Sequence, residues 1–340
     1  MGLTQVKRRI RRLVRPLEAT IYPKLFSERD CLVAILLHGV FRNGEETLAE
    51  QVDPQEYTTV DRLRRLIEYF LHCGYAFLAP SHIGCKTTPG QRCLLLTFDD
   101  GYASFLHVLP LLDEYGVPAT LFPVTRNSQE GRCYWWDVYY RERRRRGVPQ
   151  DRVYRESVRL QGLRNHEIER RLVDQFGRYA FRPTGDVDRP LSVDELKYLG
   201  SHPRVTLGNH TAEHANLVNY DRAEVEAQIT GAQRALAEIT GKEPSIISYP
   251  FGSFSPEVIA VCRTLGLEHG LTVHARPNRI PGDLDEEGRL TLGRFSVSFR
   301  DPSASPELRI RQRVLIRQAH DRLFGRRDPE SPGKRSRPKA

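Results

Sequence analysis

Short apolar segments alternate with amphipathic helical segments along most of this chain. Residues 32–37 form the first apolar segment, Val60–His72 places its apolar residues on one helical face, and residues 93–97 are apolar again. The same order returns after residue 200, where residues 221–240 and 256–265 are helical patterns between short apolar runs. Repeated strand–helix units with short connections are typical of a parallel sheet or barrel. We therefore predict an α/β fold over most of the chain.

Residues 127–190 interrupt this alternation. They combine helical periodicity with high charge, including four consecutive arginines at positions 143–146. Such a run is more typical of a solvated helix face than of a site for an acidic glycan or a lipid headgroup. We predict a helical insertion here, between two strands of a barrel domain that extends over residues 31–304.

The positive charge is concentrated at the two ends. The 340 residues carry a net charge of +9, and residues 1–30 hold eight Lys/Arg against three Asp/Glu while residues 305–340 hold eleven against four. The remaining body is therefore slightly acidic, which disfavours binding to nucleic acid. We predict a basic amphipathic helix in residues 1–30, and a basic helix followed by a disordered tail in residues 305–340.

These two basic ends leave two interpretations open. Apolar side chains recur every three or four positions in residues 6–21, and near the C-terminus they are Leu308, Leu315, Ala319 and Leu323. Helices of this kind either pack on the barrel or lie on an anionic membrane surface. The scarcity of aromatic anchors favours packing slightly.

Three further features bear on location. The chain has no run of about 18 apolar residues, so no membrane-spanning helix is expected. The basic N-terminus lacks the apolar core of a secretory signal, and the six cysteines form no CxxC pair. We therefore expect reduced thiols and a cytoplasmic location, with the inner face of the membrane as the alternative.

Two adjacent carboxylates end one of the apolar segments. Residues 94–96 are leucines, and Thr97 and Phe98 lead directly into Asp99, Asp100 and Gly101. In barrel folds, active sites lie at the carboxyl ends of the strands. Both carboxylates are therefore candidates for chemistry, provided that the chain turns both of them into one cleft at the end of the strand.

Two histidines follow another short apolar run. His210 and His214 are four residues apart, a spacing that allows both imidazoles to bind one metal ion from a helical turn. Together with a carboxylate from the earlier strand they make a three-ligand set. Three protein ligands and an open position for water are the arrangement of catalytic zinc sites.

Three strings in the sequence resemble the first motifs of the polysaccharide deacetylases, which are carbohydrate esterase family four and carry the NodB homology domain. They are TFDDG at residues 97–101, HTxxH at residues 210–214 and YPFG at residues 249–252. Residues 118–122 and 191–196 agree as well, and the resemblance extends from about residue 31 to residue 299. It implies a distorted, TIM-like (β/α) barrel of about seven strands. It also implies a divalent metal, most often zinc, held by Asp100, His210 and His214, with Asp99 as the general base.

The resemblance also requires a histidine that protonates the leaving amine. The late candidates His269 and His274 do not follow a clear strand, whereas His38 ends the apolar segment 32–37. This order is similar to the circularly permuted branch found among exopolysaccharide deacetylases. We therefore assign His38 as the acid, with a structural histidine at a strand end as the alternative.

The third motif departs from the pattern of many relatives. Ser248 occupies the position of an arginine that fixes the catalytic aspartate, and Arg294, after a late apolar run, is expected to replace it. Phe251 stands where relatives have tyrosine, which leaves its backbone N–H as a donor to the oxyanion. The remaining candidates for substrate contact are Tyr249, Pro250, Trp135 and Trp136.

The sequence thus predicts a metal-dependent hydrolase that removes N-acetyl groups from sugars of a polysaccharide or of its lipid-linked precursor, in exopolysaccharide biosynthesis. One alternative is a deacylase of another amide or of an O-acetyl ester on the same barrel. The other is a catalytically silent member that binds glycan in a synthesis complex. The expected partners are an N-acetylated carbohydrate and, if the ends bind membrane, an anionic lipid surface, but no nucleic acid.

Overall fold

The computed structural model describes residues 30–83, 85, 90–279, 286–299 and 305–324. The predicted amphipathic helix of residues 6–21 lies outside the described residues, and so does the predicted tail beyond residue 324. All structural statements below concern the described part of the chain.

Nine strands and twelve α-helices lie within the described residues. The strands are β1 (Cys31–Leu37), β2 (Tyr75–Phe77), β3 (Arg92–Asp100), β4 (Ala119–Pro123), β5 (Val205–Leu207), β6 (Ile246–Ser248), β7 (His269–Leu271), β8 (Asn278–Arg279) and β9 (Phe295–Ser296). The helices are α1 (Gly44–Leu48), α2 (Val60–His72), α3 (Leu109–Tyr115), α4 (Thr125–Glu130), α5 (Trp135–Arg145), α6 (Gln150–Leu160), α7 (Asn165–Phe176), α8 (Val193–Ser201), α9 (Arg222–Thr240), α10 (Pro256–Thr264), α11 (Glu286–Arg289) and α12 (Pro306–Phe324).

Seven of the strands form a ring. β5, β4, β3 and β1 pair in parallel in that order, and β9 pairs in parallel with β1. β6 pairs with β7, and this pair joins the ring through single bridges, Asn209 with Ile247 and Leu271 with Leu292. β2 and β8 lie outside the ring, beside β3 and β1. The predicted distorted (β/α) barrel of about seven strands is therefore confirmed.

The strands of the ring are apolar on both faces because each face is covered. All seven residues of β1 are buried. Leu32 and Ala34 belong to the cluster inside the ring, whereas Val33 and Ile35 belong to the larger cluster between strands and helices. This alternation follows from the two-residue period of a strand. Even-numbered residues of β1 therefore face the interior, and His38 continues that series just beyond the strand.

Capping residues define the helix boundaries. The Thr59 side chain accepts a hydrogen bond at the start of α2, and Asp221 forms a capping box with Glu224 at the start of α9. Gly241 ends α9 in the left-handed conformation that glycine adopts without steric cost. Residues 103–107 form a 3₁₀ turn and α3 follows as a separate helix, because Pro110 has no N–H and fits only the first turn of a helix.

The connection between β4 and β5 is helical. It contains α4 to α8, and its side chains form an apolar cluster of their own, with Trp135, Val138, Ile168 and Leu172 among the members. The packing of α5 against α6 and α7 accounts for this cluster. The charged residues of the segment lie mostly on the outer faces of these helices.

Helix α12 packs against α2 through a different stripe from the one read in the sequence. Ile310, Val314 and Leu315 are buried in the large cluster, whereas Leu308 is 41% exposed. Of the predicted stripe, Leu315 is buried and Leu308 is not, because the contact with α2 selects the i, i+4 pair 310 and 314. The side chains of Ala319 and Leu323, the other two members, lie outside the described part of the structure. No helix among the described residues is long and apolar enough to cross a membrane.

Candidate active site

Three buried side chains converge at the carboxyl edge of the barrel. Asp100 ends β3, and His210 and His214 follow β5. One ligand atom from each lies within 4.8 Å of the other two. Oδ1 of Asp100 is 3.4 Å from Nε2 of His210 and 3.5 Å from Nε2 of His214. Among the residues that the structure describes, no other group of three His, Cys, Asp or Glu side chains has this geometry.

An unusual backbone brings these side chains into one cleft. Asp99 faces the interior of the ring, so a regular strand would turn Asp100 toward the helices. Asp100 instead has a φ of 71°, and Thr211, His214 and Phe251 have φ values of 61°, 55° and 58°. Left-handed backbone at residues other than glycine costs about 1–3 kcal/mol each and is concentrated at functional sites. Both carboxylates reach the cleft because Asp100 leaves the strand conformation.

The donor atoms of the cluster fit a divalent metal ion. Nδ1 of His210 donates its proton to the carbonyl oxygen of Ser248 at 2.7 Å, so Nε2 is the ring nitrogen that faces Asp100. Nε2 of His210 and Oδ1 of Asp100 are buried without a hydrogen-bond partner. Burial and the neighbouring His210 lower the pKa of His214 to about 3, so this imidazole is neutral as a metal ligand must be. One carboxylate and two imidazoles match the ligand set of a catalytic zinc site.

Asp99 is held by an arginine and a serine. Nη1 and Nη2 of Arg294 donate to Oδ1 and Oδ2 of Asp99 at 2.8 and 2.7 Å, and the Ser248 hydroxyl donates to Oδ2 at 2.9 Å. Burial alone would raise the pKa of Asp99, but the Arg294 guanidinium holds it well below its ordinary value. Asp99 is therefore ionised and has a fixed orientation.

Arg294 comes from the segment that closes the ring. It lies between Leu292, which bridges to β7, and β9, which pairs with β1. The side chain is fully buried, and its Nε donates to the carbonyl oxygen of Thr272 at 3.0 Å while Nη2 donates to Ser248 at 2.8 Å. Ser248 at the end of β6 and Arg294 in the closing segment therefore contact the same carboxylate.

His38 lines the same cleft, just beyond the end of β1, and is paired with Glu56. Its Nδ1 is 2.8 Å from Oε1 of Glu56, which is itself buried. Burial lowers the pKa of His38, but the charge and hydrogen bond of Glu56, with smaller contributions from Asp100 and Asp99, raise the pKa to about 9. A protonated His38 can donate a proton at neutral pH. Glu56 could not be identified from the sequence, because it lies in an irregular segment without motif spacing.

Glu56 belongs to a segment that we call the strap, residues 49–58. Glu50, Gln55 and Tyr57 in the strap have positive φ values of 56°, 43° and 56°. The insertion holds the strap in place at three points. The backbone N–H of Asp53 donates to Asp137 at 3.0 Å, Gln150 donates to the Tyr57 hydroxyl at 2.9 Å, and Arg144 pairs with Glu50.

The two tryptophans have different surroundings. Trp136 stacks on Tyr134 with ring centroids 4.8 Å apart, and its ring lies 4.5 Å from the ring of His214. Its indole N–H donates to the Tyr102 hydroxyl at 2.8 Å. Trp135 is only 4% exposed and packs in the core of the insertion, although both tryptophans line the cavity described below.

The third motif forms the floor of the cleft. The Phe251 ring contacts that of His214 edge to face, with centroids 4.6 Å apart. Pro250 is buried at the start of the same turn. Tyr249 is fully buried and its hydroxyl donates to the carbonyl oxygen of Leu290 at 2.9 Å, so the side chain supports the turn and has no free hydroxyl.

The two late histidines lie away from the cluster. His269 begins β7 and pairs with Ile246, at the opposite end of the strands. His274 follows β7 and packs against the Phe254 ring at 5.9 Å. A cavity of about 570 Å³ contains Asp99, Asp100, His210, His214 and His38 on its lining, and neither late histidine borders it.

The ring and the buried cluster define the class of protein: an α/β barrel with a carboxylate–imidazole site at the carboxyl ends of its strands. The sequence model of the family described as "Polysaccharide deacetylase" matches residues 86–270. The chain belongs to the polysaccharide deacetylase family. The matched range includes Asp99, Asp100 and both histidines of the cluster, whereas His38 and Arg294 lie outside it.

One curated relative bears the name "Putative polysaccharide deacetylase YxkH". The chain is 20% identical over 231 residues to YxkH, a polysaccharide deacetylase of Bacillus subtilis (strain 168), and the match covers 66% of this chain. It spans 60% of the length of YxkH.

Solved structures of low sequence identity share the fold. The deacetylase PplD of Streptococcus pyogenes is 16% identical with a TM-score of 0.55, and the match covers 84% of this chain and 99% of PplD. IcaB of Ammonifex degensii is 18% identical with a TM-score of 0.52, covering 79% and 92%. A de-N-acetylase of Aggregatibacter actinomycetemcomitans is 17% identical with a TM-score of 0.53, covering 80% and 97%.

Proposed function

We propose that this chain is a metal-dependent hydrolase that removes N-acetyl groups from sugars of a polysaccharide or of its lipid-linked precursor. The observation that carries the proposal is the arrangement within one cavity. Buried atoms of Asp100 and His210 that lack hydrogen-bond partners face each other there, and an ionised Asp99 and a protonated His38 line the same cavity. The similarity to a de-N-acetylase supports the amide rather than the ester bond.

Asp100, His210 and His214 would hold the metal, of which zinc fits the ligand set best. When bound, a divalent metal supplies Lewis acidity, which polarises a carbonyl group and lowers the pKa of water. Asp99 accepts a proton from the attacking water, and Arg294 together with Ser248 keeps its carboxylate aligned. The backbone N–H of Phe251 donates to the carbonyl oxygen of the acetamide as negative charge develops on it.

His38 completes the reaction by donating its proton to the departing nitrogen. Without this proton the leaving group would be an amide anion, which is a far poorer leaving group than an amine. Glu56 favours the protonated imidazole before the reaction begins. The base and the acid therefore start in the protonation states that the first step needs.

The test is acetate release from a panel of N-acetylated oligosaccharides, with and without a chelator. We expect release that stops on chelation and returns when zinc is added, and about one metal ion per chain in the purified protein. Release that survives exhaustive chelation would exclude the metal. Release from O-acetyl esters alone would favour the ester alternative, and metal binding without any release would favour a silent glycan-binding protein.

We further propose a cytoplasmic location in which α12 covers the barrel. Its buried stripe contacts α2, while Arg309 and Arg313 are exposed. Cosedimentation with anionic vesicles at low and high salt tests this proposal. No binding is expected from α12, and salt-sensitive binding would instead support a peripheral position on the membrane.

A further inference from the structure

The cavity that contains the cluster extends well beyond it, along one face of α6. Gln150, Tyr154, Ser157 and Gln161 all line it. Their spacing of i, i+4, i+7 and i+11 places them on a single helical face. On another side of the helix, Val153 is buried in the core of the insertion. The volume of about 570 Å³ lies within the range of about 300–1,000 Å³ that is typical of pockets for small-molecule ligands.

This face of α6 has the chemistry of a sugar-binding surface. Tyr154 is 63% exposed although it borders a cavity, so its ring is available for contact with a ligand. Aromatic rings bury the apolar faces of ligands, and their hydroxyls provide a polar edge. The hydroxyl of Ser157 donates to the carbonyl oxygen of Tyr154 at 2.9 Å and can still accept, and the amide of Gln161 adds a donor and an acceptor suited to hydroxyl groups.

The face carries no unbalanced charge. Asp151 and Arg155 also line the cavity, and they form an ion pair with each other at 2.7 Å. An anionic ligand would meet the carboxylate of Asp151, and a cationic ligand would meet the guanidinium of Arg155. A neutral, hydroxyl-rich ligand fits this wall best.

Both ends of α6 are fixed to the barrel. At its start, Gln150 donates to the hydroxyl of Tyr57 in the strap. Just beyond its end, the carbonyl oxygen of Gln161 accepts from the side-chain amides of Asn216 and Asn219 at 2.8 and 2.9 Å. These asparagines follow His214 in the chain, so the face of α6 has a set position relative to the cluster. A surface that is ordered before binding loses less entropy when a ligand binds.

We infer that this face of α6 binds a neutral sugar ring adjacent to the acetylated one, so that the substrate has at least two linked sugars. The inference rests on the proposed function, because the cluster defines where the acetylated sugar lies. It also assigns the helical insertion a role in selecting substrates by chain length. Tyr154 is the residue on which the contact depends most.

Binding can be measured without turnover. The chain has two tryptophans, Trp135 and Trp136, and both line the cavity, so their fluorescence reports on its occupation. We would titrate the Asp99→Asn variant, which is expected to keep the metal but to release acetate slowly, with N-acetylated oligosaccharides of increasing length and with the corresponding monosaccharides; the tyrosine variants below are compared in the same background. A lower Kd for oligosaccharides than for monosaccharides is expected. Kd values that do not depend on chain length would overturn the inference.

Tyr154→Ala should raise the Kd of an oligosaccharide about tenfold and leave that of the monosaccharide unchanged. Tyr154→Phe should restore most of the affinity, because the ring remains. The matched control is Tyr179→Ala, since Tyr179 is 65% exposed on the same insertion but does not line the cavity, and no change is expected. An oligosaccharide Kd unaffected by Tyr154→Ala, or affected equally by Tyr179→Ala, would refute the role of α6.

The outcomes for α6 and for catalysis are separable. If oligosaccharides bind in a Tyr154-dependent manner but no acetate is released, the α6 site stands and the proposed deacetylation fails. If acetate is released at equal kcat/KM from monosaccharides and oligosaccharides, and Tyr154→Ala changes neither, deacetylation stands and the α6 site fails. Unfolding temperatures of the variants, expected to equal that of the parent because both tyrosines are exposed, check that folding is intact.

Discussion

Asp99 and Asp100 are neighbours in the chain, yet their carboxylates have different surroundings. Asp99 lies between Arg294 and Ser248, whereas Asp100 faces His210 and His214. An amide at position 100 is a poor metal ligand, and an amide at position 99 cannot accept a proton. Substitution of either aspartate by asparagine is therefore expected to lower activity, but for different reasons.

We predict that Asp100→Asn abolishes both bound metal and acetate release. Asp99→Asn should retain metal and lower kcat by about 10²-fold or more, as removal of a general base does. Metal content by elemental analysis and kcat on one N-acetylated oligosaccharide are the two measurements. His210→Ala is the positive control for loss of metal. Loss of metal in Asp99→Asn, or its retention in Asp100→Asn, would reverse the two assignments.

The pairing of His38 with Glu56 leads to a prediction about pH. A histidine with a pKa of about 9 remains protonated at neutral pH and loses its proton only as the pH rises through that value. Glu56→Gln removes the charge that raises the pKa, so the effect of burial prevails and the pKa falls. The high-pH limb of kcat/KM should then move down by about one pH unit or more.

The measurement for this prediction is the pH profile of kcat/KM at constant metal content. Glu45→Gln on α1 is the control, because Glu45 is an exposed glutamate close to the strap. Its profile should match that of the parent. An unchanged high-pH limb in Glu56→Gln would mean that His38 is not the acid, or that Glu56 does not set its pKa.

The site residues that lie in short motifs were predictable, because the spacing within each motif follows from what those side chains bind or react with. The carboxylate–imidazole cluster of Asp100, His210 and His214 could be predicted from the strand ends together with the resemblance. Glu56 could not be predicted, because its position depends on a strap with three left-handed residues and no regular period. A local sequence pattern does not indicate a contact such as that of Glu56 with His38, which depends on an irregular backbone.

At the scale of elements, the strap depends on the insertion. Asp137 on α5 accepts hydrogen bonds from the backbone N–H of Asp53 and from the Tyr102 hydroxyl at 2.6 Å, and it is fully buried. Through Asp53 it fixes the segment that carries Glu56. The insertion therefore acts on the candidate acid as well as on the wall of the cavity.

We predict that Asp137→Ala lowers kcat and shifts the high-pH limb toward that of Glu56→Gln, with metal content unchanged. Two buried donors lose their acceptor, so the free energy of unfolding should fall by about 2 kcal/mol. Asp174→Ala, an exposed aspartate on α7, is the control for both quantities. A loss of stability without any change in the pH profile would limit Asp137 to a structural role.

The packing of helix α12 leads to a prediction about the stability of the whole molecule. Val314 of α12 is fully buried in the large cluster against α2. Val314→Ala should lower the free energy of unfolding by about 2 kcal/mol, through lost burial and the cavity left behind. Arg313→Ala, at an exposed neighbouring position, should leave it nearly unchanged. Equal effects of the two substitutions in denaturant unfolding would show that α12 does not stabilise the barrel.

The barrel as a whole was predictable from the alternation of strands and helices, but its closure was not. β9 has two residues, β6 and β7 have three each, and two of the contacts around the ring are single bridges. Such short segments have no period of their own, and long-range contacts determine their conformation. Likewise, contact with the surface of α2 determines which face of α12 is buried, and the sequence of α12 alone did not indicate that face.

The position of Arg294 in the closing segment has a consequence for the order in which the protein matures. A nascent chain that has emerged only as far as residue 290 already contains Asp99, His38 and the three side chains of the cluster. It lacks both β9, which completes the ring beside β1, and the guanidinium that aligns Asp99. Under the proposed mechanism, a chain that ends before residue 294 would carry the candidate metal ligands without the side chain that orients the base, so that activity would require the closing segment.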